Sequence, residues 1–164
     1  MKTLNKMVAV ALFCALPVVP AAALAQDAAA QNPVVLSGDV KAVKTVTDDS
    51  GAERTELVKP DLIVPGDRLI FGTDYANNGT EAVNDFVVTN PLPGAVSLAP
   101  DADPSLIVSV DGAQSWGTLD QLTVSGEDGS SRTATHADVT HVRWVLATIA
   151  AGESGRLEYP AIIR

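Results

Sequence analysis

The sequence predicts an all-β chain, an antiparallel β-sandwich of about seven to nine short strands behind a cleaved leader. Three observations predict it. Apolar and polar residues alternate with a period of two in one segment after another, which is the mark of strands with one buried face. Turn signals made of glycine, proline, aspartate and asparagine recur about every ten residues. No stretch sustains the period of a helix.

The chain opens with an export signal. Lys2 and Lys6 form a basic end, residues 7–19 an apolar run broken by Pro17, and Ala23-Leu24-Ala25 a small-x-small cleavage site before Gln26. Residues 1–25 are therefore expected to be a signal peptide. The apolar run is short for a membrane span, so none is expected after cleavage, and the product is expected to be periplasmic or secreted. Cys14 is the only cysteine. It lies inside the apolar run behind Phe13, where lipid attachment needs a small residue, so no lipid anchor is expected. Without the leader the chain has no disulfide, no thiol nucleophile and no cysteine metal site.

Residues 26–33 are rich in alanine and lack a period, and read as a flexible lead-in. Residues 34–164 make one domain, and the roughly 139 residues left after cleavage suffice for a single core. The formal net charge of −9 argues against nucleic acid or anionic membrane as partners, because both require a basic footprint. The C-terminal residues 160–164 carry no sorting signal, so no anchoring is expected through them.

In chain order, residues 39–47 alternate, Asp48-Asp49-Ser50-Gly51 turns the chain, and residues 54–58 return, which predicts a hairpin. Its lysines and glutamates suggest an exposed edge, since charge there discourages pairing between sheets. Leu62, Ile63 and Val64 approach the turn Pro65-Gly66-Asp67. Leu69, Phe71, Thr73 and Tyr75 then share one face of a strand, Asn77-Asn78-Gly79 reverses it, and Phe86, Val88, Asn90 and Leu92 share a face on the return. Pro91 and Pro93 stop that strand. The unit predicts either a hairpin or a crossing from one sheet to the other. Residues 106–110 and 119–124 read as strands, as do those carrying Val142, Trp144 and Leu146, then Leu157, Tyr159, Ala161 and Ile163. Residues 126–131 read as a solvated tip.

The P-G-D turn, the strand ending in Y-x-N-x-G and the following A-x-N-x-V-V-x-N-x-L-P resemble the conserved-repeat family of secreted bacterial Ig-like β-sandwich domains, the eleventh catalogued domain of unknown function. Ser109-Val110-Asp111-Gly112 with Trp116, residues 138–144 and residues 151–155 resemble the later strands and turns of that family. The likeness spans residues 35–164 and implies an Ig-like sandwich, present here in one copy. Its motifs are structural, so it implies no activity. Asn90 stands where such domains are expected to carry aspartate.

No catalytic, cofactor-binding or metal-binding residue is assigned, and no cofactor is expected. His136 and His141 would need to converge, with Asp138, to hold zinc, and five residues apart on one strand they point to opposite faces. A hydrolase triad of Ser131, His136 and Asp138 lacks a nucleophile elbow. Asp48, Asp49, Asp101, Asp103, Glu127 and Asp128 offer oxygen ligands but none of the spacings of a calcium loop, and acids beside glycine are chiefly turn formers. Asn78-Gly79-Thr80 matches a glycan acceptor but reads first as a turn. The expectation is a non-catalytic envelope module, structural or protein-binding, with another envelope or surface protein as partner. The alternative is a ligand-binding module that takes calcium or carbohydrate through its acidic loops.

The inward set is Leu69, Phe71, Tyr75, Phe86, Val88, Leu92, Leu106, Val108, Val110, Trp116, Val142, Trp144, Leu146, Leu157, Tyr159 and Ile163. Trp116 is placed there as a core side chain, with stacking on a sugar as its alternative role. Trp144→Ala should cost about 3 to 5 kcal/mol, measured by urea unfolding. A change near zero would put Trp144 on the solvent face.

Overall fold

The turn–strand–turn–strand unit of residues 64–93 forms, but its two strands belong to different sheets. In the computed structural model the described residues, 32–126 and 129–164, contain ten strands, β1 (Val34–Thr47), β2 (Glu53–Val58), β3 (Arg68–Asn77), β4 (Val83–Pro91), β5 (Val96–Leu98), β6 (Ile107–Ser109), β7 (Thr123–Ser125), β8 (Ser131–Thr133), β9 (His141–Ile149) and β10 (Ser154–Ile163). The expected leader and cleavage site, together with Glu127 and Asp128, lie outside the described residues. A five-stranded sheet runs β2-β1-β3-β10-β5, a three-stranded sheet runs β4-β9-β6, and β7 and β8 form a separate ribbon. All pairings are antiparallel. The architecture is an all-β, Ig-like sandwich.

Asn77 governs two of the four passages between the sheets, from β3 to β4 and from β9 to β10. It is fully buried at the end of β3. Its side-chain amide donates to the carbonyls of Glu81 at 2.8 Å, Ile149 at 3.0 Å and Ala150 at 3.1 Å, while its Oδ1 accepts from Gly79 N–H at 3.0 Å. Its backbone N–H donates to Glu153 O at 2.8 Å, and its carbonyl accepts from Gly152 N–H at 2.9 Å. The β3–β4 crossing and the β9–β10 turn are thus tied to one residue. A second tie joins the sheets where Asn90 donates to Thr73 Oγ1 at 2.6 Å. An aspartate there would lose this donor.

The predicted hairpin is present as β1 and β2, closed by Asp48, whose carboxylate accepts from Ser50 Oγ–H, Ser50 N–H and Ala52 N–H. β2 is an edge along its whole length, whereas β1 pairs with β3 from Val34 opposite Asn77 to Ala42 opposite Leu69 and with β2 only from Ala42 to Thr47. On the outer face of this sheet the Arg156 guanidinium reaches Asp39 on β1, Asp74 on β3 and Glu158 on β10. It lies across Gly72, where any Cβ would collide with it. Three strands are therefore laced by one cation.

The core closes around Leu69, Leu98, Val108, Val142, Tyr159 and Ala161, with Phe71, Leu92, Leu106, Val110, Trp144 and Ile163 packed against them. Tyr159 is 1% exposed; it stacks on Phe71 at 5.0 Å and meets Trp144 at 6.2 Å. Burial pushes the Tyr159 hydroxyl up to about 12. Tyr75, Phe86, Leu146 and Leu157 are only half-buried and stand outside this cluster. The reason is positional: the core sits over the start of β3 and the end of β10, beneath Ala99 and Ala102, while these four occupy the other half of their strands. Residues 119–124 do not form one strand either. Leu119–Gln121 is a 3-10 turn, and only Thr123–Ser125 pairs, with β8.

Asn77→Asp should destabilise the domain by about 3 to 5 kcal/mol, because a buried carboxylate would face carbonyl oxygens it cannot bond. Urea unfolding measures it. A loss below about 1 kcal/mol would show that the crossings hold without this amide.

Candidate functional site

Three places on the domain offer surface to another molecule. The first is the free edge of β2 with the segment that follows it. Leu57, Leu62, Ile63 and Val64 remain exposed there, Leu62 to 78%. Local backbone explains why they stay out: the Val64 N–H is held by Asp67 Oδ2 at 2.9 Å, and the Gly66 N–H by Ile163 O at 2.9 Å. This pins the end of the segment to the sheet while Lys59, Pro60 and Asp61 carry it past the edge without pairing. The Pro65-Gly66-Asp67 turn needs its glycine, since Gly66 has φ +95°.

The second is a cleft of about 580 Å³ lined by Leu98, Ala102, Pro104, Leu106, Val108 and Leu119, with Asp103, Asp120 and His136 among its polar residues. Its lining is mainly aliphatic. The wall formed by residues 133–136 is fixed by the 3-10 turn His136–Asp138, whose Asp138 accepts from Thr135 N–H and Oγ1–H and closes a capping box. Arg132 adds a two-pronged ion pair to the same carboxylate, with both contacts at 2.7 Å. The Arg132 guanidinium, and then the Thr135 hydroxyl, hold Asp138 far below the usual carboxylate range.

The third is the outer face of the three-stranded sheet. Trp116 lies here, half-buried, and not in the core across the sandwich. The Arg143 guanidinium covers its ring at 3.6 Å, and His141 meets it edge-on at 6.3 Å between centroids. The register explains the placement. Val142 and Trp144 face inward on β9, so His141 and Arg143 face outward, where the bridge of Gly117 to Val108 also brings Trp116. A sugar stacking on Trp116 would have to share the ring with Arg143. The cation–π pair gave no signal in the spacing of the residues.

Among the described residues, Asp48, Asp101, Asp103 and Asp111 use their carboxylates within their own loops or on a neighbouring arginine. Asp101 forms a two-pronged pair with Arg68, at 2.7 and 2.8 Å, and Asp103 accepts from Ser105 Oγ–H and N–H. The Arg68 side chain lowers Asp101, and the Ser105 hydroxyl lowers Asp103. Asp111 is also held down, first by Ser115 Oγ–H and N–H and then by Ser109 Oγ–H. Among the described residues no three His, Cys, Asp or Glu side chains converge as a metal site. The acidic tip at Glu127 and Asp128 lies outside them.

His136 and His141 do not meet: one lines the cleft and the other flanks Trp116. Asp138 is engaged by Arg132 and Thr135, and none of its hydrogen bonds among the described residues goes to His136. Asn78-Gly79-Thr80 lies in the crossing after β3, with Asn78 N–H bonded to Pro33 O at 2.9 Å. No helix among the described residues is long and apolar enough to cross a membrane. Comparisons with protein-family models, curated proteins and solved structures found no match.

The lowered Asp138 sets the sign of an acid effect. Its contribution to stability is present above the ordinary carboxylate value of about 4 and is lost as pH falls through the lower folded value. Asp138→Asn should cost about 1 to 2 kcal/mol at pH 7, and the gap from the unsubstituted chain should narrow steadily as the pH is lowered from 4 to 2. Urea unfolding at a series of pH values checks this. A gap independent of pH would remove the carboxylate's charge from the account.

Proposed function

We propose that this chain is an exported, non-catalytic β-sandwich module of a bacterial cell envelope, working in the periplasm or outside the cell as a structural or protein-interaction unit. The observation that carries the reading is the β2 edge. An unpaired strand edge is a template for a partner strand, and beside it four large apolar side chains stay in water although the core has no use for them. The charges on β2, Glu53, Arg54 and Glu56, limit indiscriminate pairing and leave room for a specific one. The export signal and the resemblance to secreted repeat domains support the same reading. So does the internal use of Asp101, Asp103, Asp111 and Asp138, which leaves those acids little capacity for a cation.

The aliphatic cleft beside His136 supports a second reading, a ligand-binding module. Its lining suits an apolar group better than calcium, which needs six to eight oxygens.

A photo-crosslinking amino acid at Leu57, compared with one at Val145 on the opposite sheet, separates the two. The expected result in cells is a discrete adduct with an envelope protein from position 57 and none from position 145. Thr55→Pro should abolish the adduct without unfolding the domain, since proline is tolerated on an edge strand. Equal background from both positions would overturn the interaction reading. A thermal-shift screen of calcium, glycans and aliphatic ligands would then test the cleft.

A further inference from the structure

The free side of β2 has a hydrogen-bond parity that can be read from its turn. Asp48 N–H donates to Ala52 O at 2.9 Å, and Gly51 N–H donates to Asp48 O at 2.9 Å. Positions in an antiparallel ladder alternate between bonded and non-bonded pairs. With Asp48 opposite Ala52 bonded, the bonded positions along the hairpin are Val46 opposite Arg54, Lys44 opposite Glu56 and Ala42 opposite Val58. The N–H and C=O groups of Glu53, Thr55 and Leu57 therefore face away from the sheet. Any strand that joins this edge must bond to those three residues.

We propose that the strand that joins is β2 of a second copy of this chain, paired antiparallel about a two-fold axis through Thr55. In that register Thr55 faces Thr55, Glu53 faces Leu57, and Arg54 faces Glu56 in both directions. The two Arg54–Glu56 pairs fall at non-bonded positions, where opposed side chains approach most closely, with Cα atoms about 4.5 Å apart. Arg54 and Glu56 already lie on one face, bonded to each other at 2.8 Å within a single copy, so the paired edges form a block of four alternating charges.

Neighbouring registers are selected against. Shifting the axis by one residue in either direction preserves the bonding parity but sets Arg54 against Arg54 or Glu56 against Glu56. Directly opposed like charges are destabilising in a sheet. A half-residue shift breaks the parity. Of these alignments only the one centred on Thr55 satisfies both the backbone and the charges and opposes Arg54 with Glu56, and it is self-complementary, as a two-fold interface requires. The pairing would join two five-stranded sheets into one continuous sheet and place the exposed apolar segments of both copies beside the shared edge.

This inference rests on the reading of β2 as the contact edge and names its partner. The experiment is the oligomeric state of the full chain, purified as exported, by sedimentation across a concentration series. The expected result is a reversible dimer. Arg54→Glu and Glu56→Arg, each alone, should weaken it at least tenfold, because each creates like-charge oppositions. Mixing the two variants should restore association, since every opposed pair is then of unlike charge, and the double exchange in one chain should dimerise like the unsubstituted protein. Thr55→Pro should leave a folded monomer, with folding confirmed by its circular dichroism and melting curve. A monomer at all concentrations, or single variants that associate as the original does, would overturn the proposal. If the chain is monomeric while the crosslink from position 57 persists in cells, the edge reading stands and only the self-pairing falls. If both are absent, both fall.

Discussion

One buried amide holds together two of the crossings on which this sandwich depends. The chain leaves the five-stranded sheet after β3 and enters it for the last time before β10, and at both of these passages backbone groups lose their ladder partners. Asn77 supplies those partners from a single position. It caps the outward crossing through Glu81 O and Gly79 N–H, and the return through Ile149 O, Ala150 O, Gly152 N–H and Glu153 O. No apolar side chain could bond Glu81 O, Ile149 O, Ala150 O and Gly79 N–H, and a carboxylate would have the wrong sign for the three carbonyls. The placement of β4 over β3, and with it the Asn90–Thr73 contact and the packing of Val88, follows from this arrangement.

The inequality of the two sheets then decides where surface is left over. Three strands cannot cover five. The core gathers toward β5, β6 and the loops around Ala99 and Ala102, so β2 is left at the far edge with an open ladder. The same crowding at the β5–β6 end leaves the aliphatic cleft, where Leu106, Leu119 and Pro104 enclose space without filling it. The open edge and the cleft are thus two results of one mismatch.

Much of this was legible in the residues themselves. The period-two alternation located β3, β4, β9 and β10, and Asp48-Asp49-Ser50-Gly51 located the β1–β2 turn. Leu69, Val88, Val108, Val142 and Tyr159 were read as core and are buried. What escaped depends on partners distant in sequence. Asn77 reads as a turn former, and only the return of β9 shows why it is buried. Trp116 reads as core on size alone, because its partner Arg143 comes from another strand. The buried alanines Ala99 and Ala102 gave no signal, since a small side chain marks a close approach only once the approaching element is known. The Thr135–Asp138 capping box was present as T-x-x-D, yet the short 3-10 turn it begins has no period to reveal it.

The lacing of β1, β3 and β10 by Arg156 bears on how the domain carries a load. β1 and β10 flank β3 and run parallel to each other, so Val34 lies beside Asn77 at one end of β3 while Ile162 lies beside Arg68 at the other. The first and last strands thus depart from opposite ends of the same strand, roughly 30 Å apart. Tension between them would load both ladders lengthwise, along the strands, so that many hydrogen bonds would have to yield together and not one at a time. The guanidinium that spans all three strands opposes the same sliding motion. Any neighbour pulling on this domain through its two ends would be pulling on its most resistant direction.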